Sequence, residues 1–207
     1  MDEDTRIFLE GVYPYFRILE KINEGFLRLI KENIDNEPCE RLDILYVILS
    51  DLMRVFPIRC TYNSETKQKE YEVDIDSGIL LLREYIPFIL ESYNEILLEA
   101  GSFELFNTIA KVRNKYTHEP HNIRFKFSLG SVKDYSVTVV YKGEVLTIST
   151  YQLIKIIIKL NSIFEDIKKL YLQKIETCDS KYKEYPCYQY IFNFTLSRFT
   201  EEYSKTL

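Results

Sequence analysis

Both histidines of the chain lie in one run, Arg113-Asn114-Lys115-Tyr116-Thr117-His118-Glu119-Pro120-His121. An imidazole titrates near neutral pH and is the usual proton-transfer group. A guanidinium binds phosphate and carries its charge at any physiological pH. An asparagine next to the arginine can orient a ring or an oxygen. Arginine, asparagine and histidine within six residues therefore suit acid–base chemistry on a phosphate ester.

Helical spacing limits what these side chains can do together. Asn114 and His118 are four apart and share a face while a helix lasts. Arg113 and His118 are five apart, roughly 140° around an ideal helix at ~100° per residue. They converge if the helix ends or opens between them, or if a second copy faces the first. Pro120 disfavours helix at Glu119, so His118 is expected at or just past a helix C-terminus, where the dipole favours cations.

Charge around the run differs from charge overall. Between Gly101 and Lys133 the basic residues are Lys111, Arg113, Lys115, Arg124, Lys126 and Lys133, and the acids are Glu104 and Glu119. This positive island sits in a chain of net charge -5. A global deficit of positive charge argues against nonspecific DNA coating, which needs a broadly basic surface. A local island of this kind suits a phosphate-bearing ligand. Lys111, Lys115, His121, Arg124 and Lys126 are the candidate substrate-binding residues.

Helices must position the run. Residues 5–34 repeat apolar positions at helical spacing, with Gly11 and Pro14 suggesting separate or kinked first turns. Asn36 as cap and Pro38 in the first turn open a second helix to about Phe56. Residues 57–76 read as a long exposed loop that holds at most a short strand at 71–73. Ser77 is expected to cap a third helix, 78–99, kinked at Pro87. Ser102 is expected to cap a fourth helix that leads into the histidine run. After it, apolar residues alternate at Ile123, Phe125, Phe127 and Leu129, then at Tyr135, Val137, Val139 and Tyr141, and a third short strand follows at 145–148. Thr150 is expected to cap a long helix, 151–175, and a last helix covers 188–204.

The expected fold is mainly α: one domain over 1–207, an up-and-down helical bundle with a small antiparallel β-meander inserted at about 122–148. Apolar content of 46% and charged content of 29% are ordinary for a globular domain. No apolar run approaches the ~20 residues that span a bilayer, so no membrane role and a cytoplasmic location are expected. Cys39, Cys60, Cys178 and Cys187 form no C-x2-C pair and read as reduced thiols. A metal held by His118 and His121 is disfavoured, because Pro120 breaks the helical geometry such a pair would use. No cofactor is expected.

Arg113-Asn114-x3-His118 resembles the R-N-x3-H form of the motif that marks the HEPN (higher eukaryotes and prokaryotes nucleotide-binding) superfamily. Its members are helical up-and-down domains with the motif at the end of an inner helix. The meander is an elaboration that the minimal fold lacks. The resemblance implies a metal-independent endoribonuclease of the toxin–antitoxin, abortive-infection or defence type, which cuts RNA by attack of the 2′-hydroxyl to leave a 2′,3′-cyclic phosphate. It implies a homodimer with a composite site, RNA as substrate, and an antitoxin or defence-system partner. Carried over, His118 is general acid or base, Arg113 binds phosphate, and Asn114 orients. The family assigns no fixed role to His121.

Other readings of the same residues stand beside this one. Arg113 could cap helix carbonyls or pair with Glu119, and His118 could be a surface imidazole. The site could be a non-catalytic nucleotide- or protein-binding module. Tyr182, Tyr185, Tyr188 and Tyr190 could stack bases, although packing is the commoner use of abundant tyrosine. Lys67-Gln68-Lys69 reads as a solvated loop, and Glu91, Glu95 and Glu99 as a wet helix face.

Overall fold

A computed structural model describes the chain except for residues 1–2, 32–37, 100, 120–122, 129–135, 142, 179 and 207. The expected cap Asn36, the residues Pro120 and His121, and the meander turn at 130–131 lie outside the described residues.

The protein is mainly helical. α1 spans Glu3–Lys31, α2 Pro38–Val55, α3 Ile89–Leu98, α4 Ser102–His118, α5 Thr150–Glu176, α6 Pro186–Asn193 and α7 Ser197–Thr206. α1 and α5 form the centre. Phe8, Val12, Phe16, Leu19, Ile22 and Phe26 recur every three or four residues on α1, and all are buried. Leu153, Ile157, Leu160, Phe164, Ile167 and Tyr171 do the same on α5. Phe16 meets Phe164 edge-on, ring centres 5.1 Å apart. Phe56 of the α2 end stacks on Phe106 of α4 at 4.8 Å, which ties α4 into this core. Among the described residues no helix is long and apolar enough to cross a membrane.

Strands β3 (Ile123–Ser128), β4 (Ser136–Tyr141) and β5 (Glu144–Ser149) form the expected antiparallel meander between α4 and α5. Its register pairs Phe125 with Val139 and Val139 with Leu146. Val139, Leu146 and Ile148 are buried, whereas Glu144, Val145 and Thr147 are exposed. Burial alternates along β5 because successive side chains of a strand point to opposite faces.

Several local expectations require correction. Residues 57–76 are not an unstructured loop. β1 (Ile58–Asn63) and β2 (Gln68–Val73) form an antiparallel hairpin. Arg59 and Glu72 sit opposite each other and pair at 2.7 Å. The Asn63 carboxamide accepts the Glu65 and Thr66 backbone N–H groups at 3.0 and 3.1 Å, closing the turn. Cross-strand charge pairing and turn chemistry hold a hairpin whose composition reads as solvent.

The expected third helix is two pieces. Residues 78–82 form a 3-10 turn, and α3 begins only after Pro87. Proline cannot donate its nitrogen and disfavours helix in the residue before it. The Arg83 guanidinium donates to the carbonyls of Ile75 and Leu80 and stabilises the bend. Ser77 does not cap; its hydroxyl donates to Asp74 at 2.8 Å.

Two expected caps are shifted by one residue. Gly101, in the left-handed region at φ 83°, is the N-cap of α4, and Ser102 is already helical. Ser149, not Thr150, caps α5 by accepting the Gln152 N–H at 3.3 Å. The last expected helix breaks at residues 194–196. There α5 supplies partners from its side: Lys168 donates to the Phe194 carbonyl, and Glu165 accepts the Leu196 N–H at 2.9 Å. Finally, α1 runs unbroken past Gly11 and Pro14. Gly11 serves contact: a Cβ there would stand 3.0 Å from the Leu82 side chain.

Candidate functional site

α4 carries the motif, and its environment decides which residues can meet a ligand. Leu105, Phe106, Ile109 and Val112 bury one side of it. The helix packs against α2, α3, α5 and β5. Its last turn stays helical through His118: Thr117 donates its hydroxyl to the Arg113 carbonyl at 2.9 Å, and the Glu119 N–H donates to Lys115 at 2.8 Å. Pro120 follows immediately in the sequence, in keeping with a stop at this point.

Arg113, Asn114 and His118 are all exposed. Among the described residues their side chains make no hydrogen bond or ion pair. Asn114 and His118 lie one turn apart on the outer face of α4. Arg113 leans towards α2, roughly 140° from His118 at ~100° per residue. Of the two ways in which these groups could converge, an opened helix end is therefore excluded within one chain. The helix keeps the two positions on different sides of α4.

Two flanks hold this helix end in place. On the α2 side, the Tyr46 and Tyr116 rings lie 4.5 Å apart and tilted by 31°. The Tyr46 hydroxyl shares a hydrogen bond with Thr117 at 3.0 Å, and Tyr116 donates to the Asp43 carboxylate. The Thr117 hydrogen bond foremost, with the nearby Arg113 charge assisting, holds the Tyr46 phenol below its ordinary value.

On the sheet side, Lys111 and Lys115 reach one carboxylate, Glu144 of β5, at 3.2 and 2.6 Å. Both lysines occupy one face, four residues apart. Their hydrogen bonds, Lys115 before Lys111, hold the Glu144 carboxyl below the usual carboxylate range. Two expected substrate-binding lysines therefore clamp α4 to the meander. The positive island is also weaker than a count over residues 101–133 suggests, since Glu144 lies beyond that window and folds back onto it.

Arg124 and Lys126 occupy alternate positions on β3, opposite Val140 and Thr138. Their side chains, like all of His121, lie outside the described residues. Sequence reasoning missed Asp43, Tyr46, Tyr116 and Glu144 as neighbours of the motif. Tyr46 was legible only as part of an apolar stripe on α2, and nothing local marked Glu144 as the partner of α4.

Of the tyrosines near the C-terminus, Tyr185 is exposed and the other three pack. Tyr182, Tyr188 and Tyr190 lie against the core, and the Tyr190 hydroxyl donates to Glu20 at 2.5 Å. Glu99 is not simply wet but pairs with Lys159 of α5. Cys178 and Cys187 are free thiols, half-buried. Among the described residues, no three His, Cys, Asp or Glu side chains gather as a metal site.

Compared with known proteins, the chain matches no family model, no curated protein and no solved structure.

Proposed function

We propose that the chain is a HEPN-type, metal-independent endoribonuclease that acts as a homodimer, with the α4 ends of two copies facing each other. The observation that carries this reading is the exposed, unengaged set Arg113, Asn114 and His118 on the last turn of a helix that is otherwise well anchored. Groups built for structure find partners; groups left open at a helix end are available to a ligand.

The chemistry needs a base, an acid and a cation on one phosphodiester. One His118 takes the proton from the ribose 2′-hydroxyl as O2′ bonds to phosphorus. The P–O5′ bond breaks, and the departing O5′ receives a proton from the His118 of the second copy. Arg113 neutralises the growing charge on the phosphoryl oxygens, and Asn114 orients the ring or an oxygen. The divergence of Arg113 and His118 along one helix supports a site made from two copies. An antitoxin or other defence-system partner would act by covering this end.

The test is incubation of the dimer with single-stranded RNA in chelator, with products identified by mass. A 2′,3′-cyclic phosphate and a 5′-hydroxyl are expected. His118→Ala should reduce the rate by about 10²–10⁴-fold, and Arg113→Ala by about 10²–10³-fold. A folded dimer that leaves every RNA intact, or a His118→Ala protein that cuts normally, overturns the proposal.

One observation favours a second reading, a nucleotide- or protein-binding module without turnover. Glu144 already engages Lys111 and Lys115, so less charge remains for a polyanion. Thermal stabilisation by nucleotide without RNA loss would favour it.

A further inference from the structure

The α2 side of the motif carries an aromatic surface that the proposed chemistry leaves unused. Asp43, Tyr46, Val47 and Ser50 recur at helical spacing on α2 and form one strip. The end of α4 meets this strip through Tyr116 and Thr117. Tyr46 and Tyr116 are half-buried, and their rings lie 4.5 Å apart across the seam with a tilt of 31°. Asp43 beside them is exposed, and Val47 is 51% exposed.

The hydroxyls hold both rings in place. Tyr116 donates to the Asp43 carboxylate. Thr117 gives its own hydrogen to the Arg113 carbonyl, so the Tyr46 hydroxyl donates to Thr117 at 3.0 Å. Two hydrogen bonds therefore link the Tyr46 ring to the Arg113 backbone, and the Arg113 charge reaches the same phenol.

This placement of Tyr46 has a cost. Ser50 stands one turn further along α2, close enough to act on the Tyr46 phenol. Its hydroxyl oxygen is nonetheless buried without a hydrogen-bond partner among the described residues. A stranded hydroxyl destabilises a fold. The Tyr46 hydroxyl turns away from its own helix to α4, and its ring thereby comes to rest against Tyr116 near an exposed guanidinium. Local rules are broken in this way chiefly at functional sites, where a ligand sets the placement.

An aromatic face takes any base by stacking, and a guanidinium takes a phosphate. The Asp43 carboxylate repels phosphate, so the rings suit the base and Arg113 the backbone. We infer that the Tyr46–Tyr116 pair is a stacking platform for an unpaired RNA base whose adjoining phosphate is held by Arg113. This inference rests on the reading of the α4 end as an RNA site, and it gives that site a preference for single strands. Bases inside a duplex already stack on one another and present no free face.

The chain has no tryptophan, so Tyr46→Trp supplies a lone emitter that keeps an aromatic face. The probes are 2′-O-methyl RNA oligonucleotides, which lack the attacking hydroxyl and stay intact. A single strand should quench the emission, whereas the same strand in a duplex, or an abasic strand of equal length, should not. Tyr116→Trp reports from the second ring and serves where Tyr46→Trp folds poorly. Tyr62→Trp, at an exposed position of β1, should not respond. By anisotropy of a labelled strand, Tyr46→Ala should weaken binding by about 5–150-fold, and Tyr46→Phe, which keeps the ring, by about twofold at most. Emission unchanged by a bound strand, equal quenching by the abasic strand, unchanged affinity in Tyr46→Ala, or no binding of any single strand at about 1 mM overturns the platform. Quenching without cleavage of the matching unmodified RNA overturns the nuclease reading and keeps the platform; cleavage without quenching does the converse.

Discussion

The molecule carries two polar clusters with opposite bookkeeping. In the core, Asn23 of α1 and Asn161 of α5 exchange carboxamide hydrogen bonds, both 2.9 Å long. Tyr203 of α7 donates to the Asn23 side chain at 3.0 Å, and Asn23 donates to the Leu19 carbonyl at 2.8 Å. All three residues are buried. On the surface, Arg113, Asn114 and His118 are exposed, and their side chains make no hydrogen bond or ion pair among the described residues. The difference separates two uses of a polar side chain. A buried amide is tolerated only when its partners are built in, and it then locks three helices in one arrangement. An exposed set at an anchored helix end costs the fold little and stays free for a ligand.

That contrast can be broken by substitution. Asn23→Leu strands the Asn161 amide, while the Tyr203 hydroxyl keeps the Asn23 backbone carbonyl at 3.2 Å, so stability should fall by about 1–3 kcal/mol. Thermal unfolding should show a drop of roughly 5 °C. A shift near zero would mean that the triad contributes nothing specific. The double variant Arg113→Ala with His118→Ala should do the reverse. Its unfolding temperature should stay within about 2 °C, while the RNA cleavage proposed for the site is lost. Substantial unfolding in that variant would move the motif from function to structure.

The smallest effect is expected at the clamp between α4 and the meander. Glu144 is stabilised as the anion by Lys115 and Lys111, which lowers its folded pKa. Its contribution is therefore present above the ordinary carboxylate value and is lost as pH falls through the lower, folded value. Wild type should unfold slightly above Glu144→Gln at neutral pH, and the gap should close in acid. A gap that widens in acid would show that the lysines are not its source.

Much of the scaffold was readable in order. The apolar periods of α1 and α5 identify the central helices, because a helix can bury a stripe only at that spacing. The alternation after His121 announces the meander. The end of α4 at His118 follows from Pro120. What was not readable has a common physical cause. The hairpin at 58–73 is held by Arg59–Glu72 and by Asn63 closing its own turn, so its strands need little apolar pattern. The break at 194–196 is stabilised by Lys168 and Glu165 from another helix, and no residue within the break signals it. At the site, the motif residues were named from spacing alone, but Lys111 and Lys115 looked available until Glu144 folded against them.

The sequence by itself determined that α4 would carry arginine, asparagine and histidine to a helix end, because proline chemistry and helical period are local. It also determined that Arg113 and His118 diverge as long as the helix persists. Only the tertiary structure decided that the helix does persist, that Tyr46, Tyr116 and Asp43 anchor it, and that Glu144 engages two of its lysines. Those outcomes depend on contacts between residues far apart in the chain, whose energies no local window contains.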